Sequence, residues 1–258
     1  MNFFLAVSTL GRREIVRFLR QRNRIVGALG TPLVFWLLIG SGVGSSFKAP
    51  ESLGGEGYLE YSFPGTLALI LLFTSIFSTI SIIEDRQAGF LQSALVAPVP
   101  RSAIILGKIL GGTTLAVFQA LIFVLLAPTV QISLSWEKFV ALAGILTLVG
   151  FALSALGSLI AWKMDSTQGF HAIMNLILMP MWLLSGSFFP ASGAPAWLRA
   201  IIRANPLTYG VAAVRRVLYL SDAPVGLDLP SLAACLGVTV AFGLAAFAAT
   251  TWVASEYN

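Results

Sequence analysis

Residues 63–83, FPGTLALILLFTSIFSTISII, run for 21 positions without one charged side chain. A helix needs roughly 20 apolar residues to cross the hydrocarbon core of a bilayer, so this stretch is long enough to span it. A barrel strand would need only about ten residues, with apolar and polar positions alternating. The run is twice that length and lacks the alternation. Five further stretches of the same kind flank it, at about Ile25–Val43, Ile104–Val130, Phe139–Trp162, Phe170–Phe188 and Leu232–Val253. The expected fold is an all-α integral membrane protein with about six transmembrane helices, forming a single domain over residues 1–258.

Composition points the same way. The chain is 57% hydrophobic and 10% charged, against about 25% charged in soluble domains. So little polar surface cannot cover a soluble core, and lipid must be part of the solvent. Cys235 is the single cysteine and His171 the single histidine. That excludes a disulfide framework, Cys-based zinc, most His-ligated metals and ordinary Cys–His or Ser–His nucleophiles. The glycine-rich stretch Gly40–Ser46 lacks the Lys-Ser/Thr pair of a phosphate-binding loop. No catalytic residue, cofactor or metal is expected on this chain.

Six arginines (Arg12, Arg13, Arg17, Arg20, Arg22 and Arg24) crowd the first 24 residues against one acid, Glu14. In a chain this apolar they mark a cytoplasmic membrane-surface segment rather than a nucleic-acid site. The basic stretch is too long for a signal peptide, and no short apolar core with a cleavage site follows it. Phe4, Val7, Gly11, Ile15 and Phe18 recur every three or four positions, with arginines on the other side. That makes residues 1–24 an amphipathic helix suited to the headgroup plane; a helix packed on protein has the same pattern. With the N-terminus cytoplasmic, ten of the 16 basic residues fall inside and six outside, the sign the positive-inside rule requires. An even number of spans returns the C-terminus to the cytoplasm. Trp136 and Trp197 are then expected at the outer interface, and Trp162 and Trp252 at the inner one.

Small residues explain how such helices approach one another in lipid. Gly107 and Gly111, the set Gly150, Ser154 and Ser158, and the set Gly237, Ala241, Ala245 and Ala249 form three candidate packing ladders; a substrate-lining groove is the alternative. Thr74, Ser78 and Ser81 share a face that either lines a polar pathway or bonds to backbone and neighbouring helices. His171 and Asn175, one turn apart, read as a packing pair or a proton relay. Glu84, Asp85, Lys108, Lys163 and Asp165 lie at span ends, and no carboxylate falls mid-span.

Two connections carry more specific signals. Glu84-Asp85-Arg86-Gln87-Ala88-Gly89-Phe90-Leu91-Gln92-Ser93-Ala94-Leu95 reads as a short cytoplasmic helix between the second and third spans, ending at Pro98-Val99-Pro100-Arg101. Its mixed acidic, basic and apolar faces suit a protein partner. Leu184-Ser185-Gly186-Ser187-Phe188-Phe189-Pro190, then Trp197 in an amphipathic piece, then Asn205-Pro206-Leu207-Thr208-Tyr209-Gly210, read as a helix-broken external element over 190–230, short of a full crossing.

These segments together resemble the membrane subunit of bacterial type-2 ABC exporters, nearest the drug- and nodulation-factor branch. The resemblance covers essentially the whole chain. It rests on the basic N-terminal helix, Phe63-Pro64-Gly65, the 84–100 connection running to Leu106-Gly107-Lys108, and the LSGSFFP…NPLTYG stretch. One departure is Ala212-Ala213, where that branch is expected to carry an acid.

The resemblance implies two permease copies as a homodimer in the inner membrane and two copies of a separate ABC ATPase, which binds ATP and Mg. Residues 84–100 become the coupling region, with Glu84, Asp85, Arg86, Gly89, Phe90 and Leu91 at the ATPase contact. Pro190, Trp197, Asn205, Pro206 and Tyr209 become the external gate. The cargo would be an amphiphilic drug, lipid or glycan. An ion-coupled carrier or channel needing no ATPase is the alternative, and the missing mid-span carboxylate argues against it. A non-transporting membrane scaffold is the third reading.

Overall fold

The computed structural model describes residues 3–44, 57–96, 98–189, 191–219 and 229–256. In chain order the helices are α1 (Phe3–Arg20), α2 (Arg22–Gly44), α3 (Tyr58–Gln87), α4 (Phe90–Val96), α5 (Arg101–Val124), α6 (Trp136–Trp162), α7 (Thr167–Trp182), α8 (Ala196–Ala204), α9 (Pro206–Leu218) and α10 (Leu232–Glu256). No strand occurs among the described residues. Among the described residues, six helices are long and apolar enough to cross a bilayer: α2, α3, α5, α6, α7 with the turn that follows it, and α10.

The stretch at 63–83 forms the middle of α3, the most enclosed helix, which packs against α2, α5, α6, α7 and α9. Lipid supplies no hydrophobic force between helices, so close packing and polar contacts must hold them together. The hydroxyl face of α3 serves that purpose. Thr74 Oγ1 donates to Gln119 Oε1 at 2.7 Å, Ser154 Oγ to Ser75 Oγ at 3.1 Å, and Ser78 Oγ to the Ser75 carbonyl at 2.8 Å. A Cβ at Gly112 would lie 2.4 Å from Ser78 Oγ. These hydroxyls sit in the bundle core.

α3 begins five residues earlier than the apolar run and ends four residues later. Pro64 removes one amide donor, but the Glu60 carbonyl this frees accepts from Tyr219 Oη at 3.0 Å, so the helix continues. The third span ends earlier than expected, at Val124. Pro128 cannot return an N–H to Val124, and the chain passes into a 3-10 turn at Ala127–Val130.

The Gly107/Gly111 ladder and the Gly150/Ser154/Ser158 ladder are both buried. The partner of the first is α1: a Cβ at Gly111 would lie 2.8 Å from Glu14 Cβ, and one at Gly107 2.9 Å from the Val7 carbonyl oxygen. The N-terminal amphipathic helix is therefore docked on α5. The α10 ladder does not pack as expected. Gly237, Ala241 and Ala245 face outward, while Cys235, Thr239, Gly243, Ala246, Thr250 and Val253 are buried. Trp162 does not turn its ring outward; it is 1% exposed at the end of α6, with the Arg86 guanidinium 5.6 Å from its ring. Trp136, Trp197 and Trp252 are exposed. His171 lies edge-on to Phe77, with ring centroids 5.9 Å apart.

Candidate functional site

At the end of α3, a carboxylate pair meets the basic face of α1. Arg13 donates to both oxygens of Asp85, at 2.9 and 2.8 Å. Arg17 bridges Asp85 and Glu84, each at 2.6 Å, and Arg24 on α2 also pairs with Glu84. Lys108 on α5 donates to Glu14 at 2.9 Å and to Asp85. Three acids and four bases thus join α1, α2, α3 and α5. Glu14, Asp85 and Lys108 are almost wholly enclosed, at 3%, 1% and 5% exposure. Buried charges persist only when paired and hydrogen-bonded. Here each carboxylate has at least two cationic partners. The hydrogen bond to Asp85 lifts Arg13 above the usual guanidinium range, partly opposed by its burial.

The same end of α3 is anchored on its other side. Arg86 donates to the carbonyls of Trp162 at 2.7 Å and Met164 at 3.1 Å, and Gln87 Nε2 to the Asp165 carbonyl at 2.9 Å. Arg101 donates to the carbonyls of Ala254 and Ser255 at 2.8 and 2.7 Å, placing a cation on the negative end of the α10 dipole. The 84–101 connection thus touches nearly every helix that ends on this side.

The connection is not one helix. Gly89 adopts φ +74, a left-handed conformation costly for any residue with a Cβ, and the chain reverses there into α4. Leu91 is 2% exposed. The Phe90 ring lies 3.8 Å beneath the Arg13 guanidinium, a cation–π contact that seats α4 on the ionic cluster. Gln92, Ser93 and Val96 project outward, Val96 being 87% exposed.

Of the residues expected to meet a partner, Glu84, Asp85 and Arg86 are engaged within the chain, and Phe90 and Leu91 turn inward. The free face is carried by Gln92, Ser93 and Val96. The cluster also recruits residues that the sequence reading did not assign to the site, namely Arg13, Glu14, Arg17, Arg24 and Lys108. One signal existed: Glu14 is the lone acid on an arginine face, and Lys108 lies inside the Gly107/Gly111 ladder.

The other end of α3 meets the break after α7. The chain passes from α7 into a π turn at Leu183–Ser187, with Gly186 at φ +77. Tyr61 Oη donates to the Gly186 carbonyl and Tyr58 Oη to that of Phe188, both at 3.3 Å. Trp182 Nε1 donates to the Gly65 carbonyl at 2.8 Å. Gly65 is needed because a Cβ there would lie 2.5 Å from Ser187 Cβ. Asn205 accepts from the Leu207 amide at 3.0 Å, capping α9 with Pro206 in its first turn. Its Nδ2 donates to the carbonyls of Met181 and Leu184 at 2.6 and 3.1 Å, tying the start of α9 to the π turn. Tyr209 Oη donates to the Arg203 carbonyl at 2.9 Å. Trp197 points away from the bundle at 66% exposure, and Pro190 lies outside the described residues. Ala212 and Ala213 are buried in α9. Arg215, also buried, donates to the carbonyls of Tyr61 and Gly186 at 3.2 and 3.3 Å and stacks 4.4 Å from the Tyr61 ring.

The ABC-2 type transporter family profile matches residues 6–219. Among similar proteins, the inner membrane transport permease YadH of Escherichia coli is 26% identical over 97% of this chain and 94% of its own length. The probable multidrug ABC transporter permease YbhR of E. coli is 28% identical over 74% of this chain, which spans about half (52%) of that relative. Nodulation protein J of Neorhizobium galegae is 24% identical over 84% of this chain and 82% of its own length.

Proposed function

The chain belongs to the ABC-2 type transporter family, and from that premise we propose that it is the permease of an ATP-driven exporter whose ATPase is a separate subunit. The chain itself is a multi-pass membrane transport subunit. ATP and Mg belong to the partner, two copies of which would serve a homodimer of this chain in a bacterial inner membrane, with both termini cytoplasmic. The cargo class is an amphiphilic drug, lipid or glycan.

The observation that carries this reading is α4. It is a short helix locked to the bundle by Phe90, Leu91 and Arg13, and it offers Gln92, Ser93 and Val96 to a partner. Rigid seating matters, because a push on a loosely held loop would be absorbed locally. ATP can drive transport only if it favours one permease conformation over another. The ionic cluster would pass that preference to α1, α2, α3 and α5 together. α3 has 30 residues, about 45 Å at 1.5 Å per residue, and it is continuous from the cluster to Gly65 and Tyr61. Movement at α4 would therefore reach the π turn and α8–α9, the element that gates the exit.

Co-expression with a candidate ABC ATPase from the same organism tests the reading. The complex should purify together, and its ATP turnover should rise with a transported amphiphile. Transport by the purified chain alone, driven by an ion gradient, would refute it.

A further inference from the structure

α1 docks on α5 along one side only and leaves an open groove of about 1030 Å³ on the other. Its walls include Phe3, Phe4, Leu5, Leu110, Gly111 and Thr114, and among the described residues Arg12 is the one charged side chain lining it. Phe4 and Leu5 are 82% and 58% exposed. Leu110, Thr114, Phe118 and Ile122 follow at four-residue spacing along α5, and all four are exposed. They continue the groove as an apolar stripe of about 18 Å, at 1.5 Å per residue.

We propose that this groove binds one anionic phospholipid, its phosphate on Arg12 and an acyl chain along the α5 stripe. Arg12 itself supplies the charge. Arg13, Arg17 and Arg24 are consumed by Asp85, Glu84 and Glu14. Among the described residues, Arg12 has no acidic partner and no carboxylate lines the groove. A docked apolar helix would cover this cation without neutralising it. An anionic lipid supplies the counter-charge and the chain in one molecule. The site would secure α1 against α5 from the lipid side, opposite the Glu14–Lys108 contact. It does not depend on an ATPase partner or on the direction of transport.

Native mass spectrometry of the purified full chain, offered equal phosphatidylglycerol and phosphatidylcholine, tests the site. Phosphatidylglycerol should be retained preferentially, and Arg12→Gln should reduce that preference about fivefold, the worth of one basic residue at a lipid surface. Thr114→Trp should fill the groove and remove the retained lipid, while Arg20→Gln should leave the preference intact. Equal retention of the two lipids, or a preference untouched by Arg12→Gln and Thr114→Trp, overturns the proposal. An equal drop for Arg12→Gln and Arg20→Gln also overturns it, because that marks diffuse surface attraction.

Discussion

Arg13 holds both oxygens of Asp85, at 2.9 and 2.8 Å, across 72 positions of sequence. The same guanidinium covers the ring of Phe90, so one side chain fixes α1, the end of α3 and the start of α4 relative to one another. In bidentate geometry an arginine fixes orientation as well as distance. The contact therefore fixes the relative orientation of these three elements, which a single lysine point charge could not do.

Asp85→Asn should destabilise the protein by about 3–5 kcal/mol, because it removes the enclosed anion that Lys108, Arg13 and Arg17 share. Glu84→Gln, at a partly exposed site, should cost about 1 kcal/mol. Adding Lys108→Met to Asp85→Asn should recover part of the loss by removing one of these cations. Thermal unfolding in detergent ranks the three variants. Equal costs for Asp85→Asn and Glu84→Gln would contradict the enclosed cluster.

Gly89→Val places a β-branched residue at φ +74, a strain of about 1–2 kcal/mol. The strain is relieved by swinging α4 away from Arg13. The expected result is a small loss of thermal stability with a large loss of ATPase co-purification. Gly193→Val, at a glycine whose added Cβ would meet nothing, is the control and should leave co-purification unchanged.

Asn205→Ala removes a helix cap and two further hydrogen bonds to Met181 and Leu184. It should cost about 1–3 kcal/mol and lower transport without lowering ATPase assembly. Trp197→Ala, on the exposed face of α8, should change stability by less than about 0.5 kcal/mol. Melting curves read beside a transport assay separate the two.

The six spans were legible because a long apolar run has few other stable solutions in a bilayer. Their ends were not. α3 extends through Glu84 and Asp85 because partners from residues 13, 17 and 108 accept those charges inside the bundle, and no local pattern announces partners that distant. Seating that end on α1 moved the exposed face of the connection from Glu84 and Asp85 to Gln92, Ser93 and Val96. The α10 ladder misled for a different reason. Small residues are so dense there that several faces satisfy the same spacing, and only the shape of α6, with Gly243 against Ala152, selects one. The NPLT stretch was read only as a helix break, although Asn at a cap and Pro in a first turn are local chemistry that starts helices, as it does for α9. That Asn205 also serves the broken end of α7 required the fold.

If α4 is the seat of the ATPase, cross-linking should find the two in contact. In a Cys235→Ser background, Val96→Cys and Gln92→Cys should form disulfide or short-linker cross-links to the co-purified ATPase. Trp136→Cys, exposed at the opposite end of the bundle, should not. A cross-link from Trp136→Cys, or none from the two α4 positions in a complex that purifies intact, would contradict that seat.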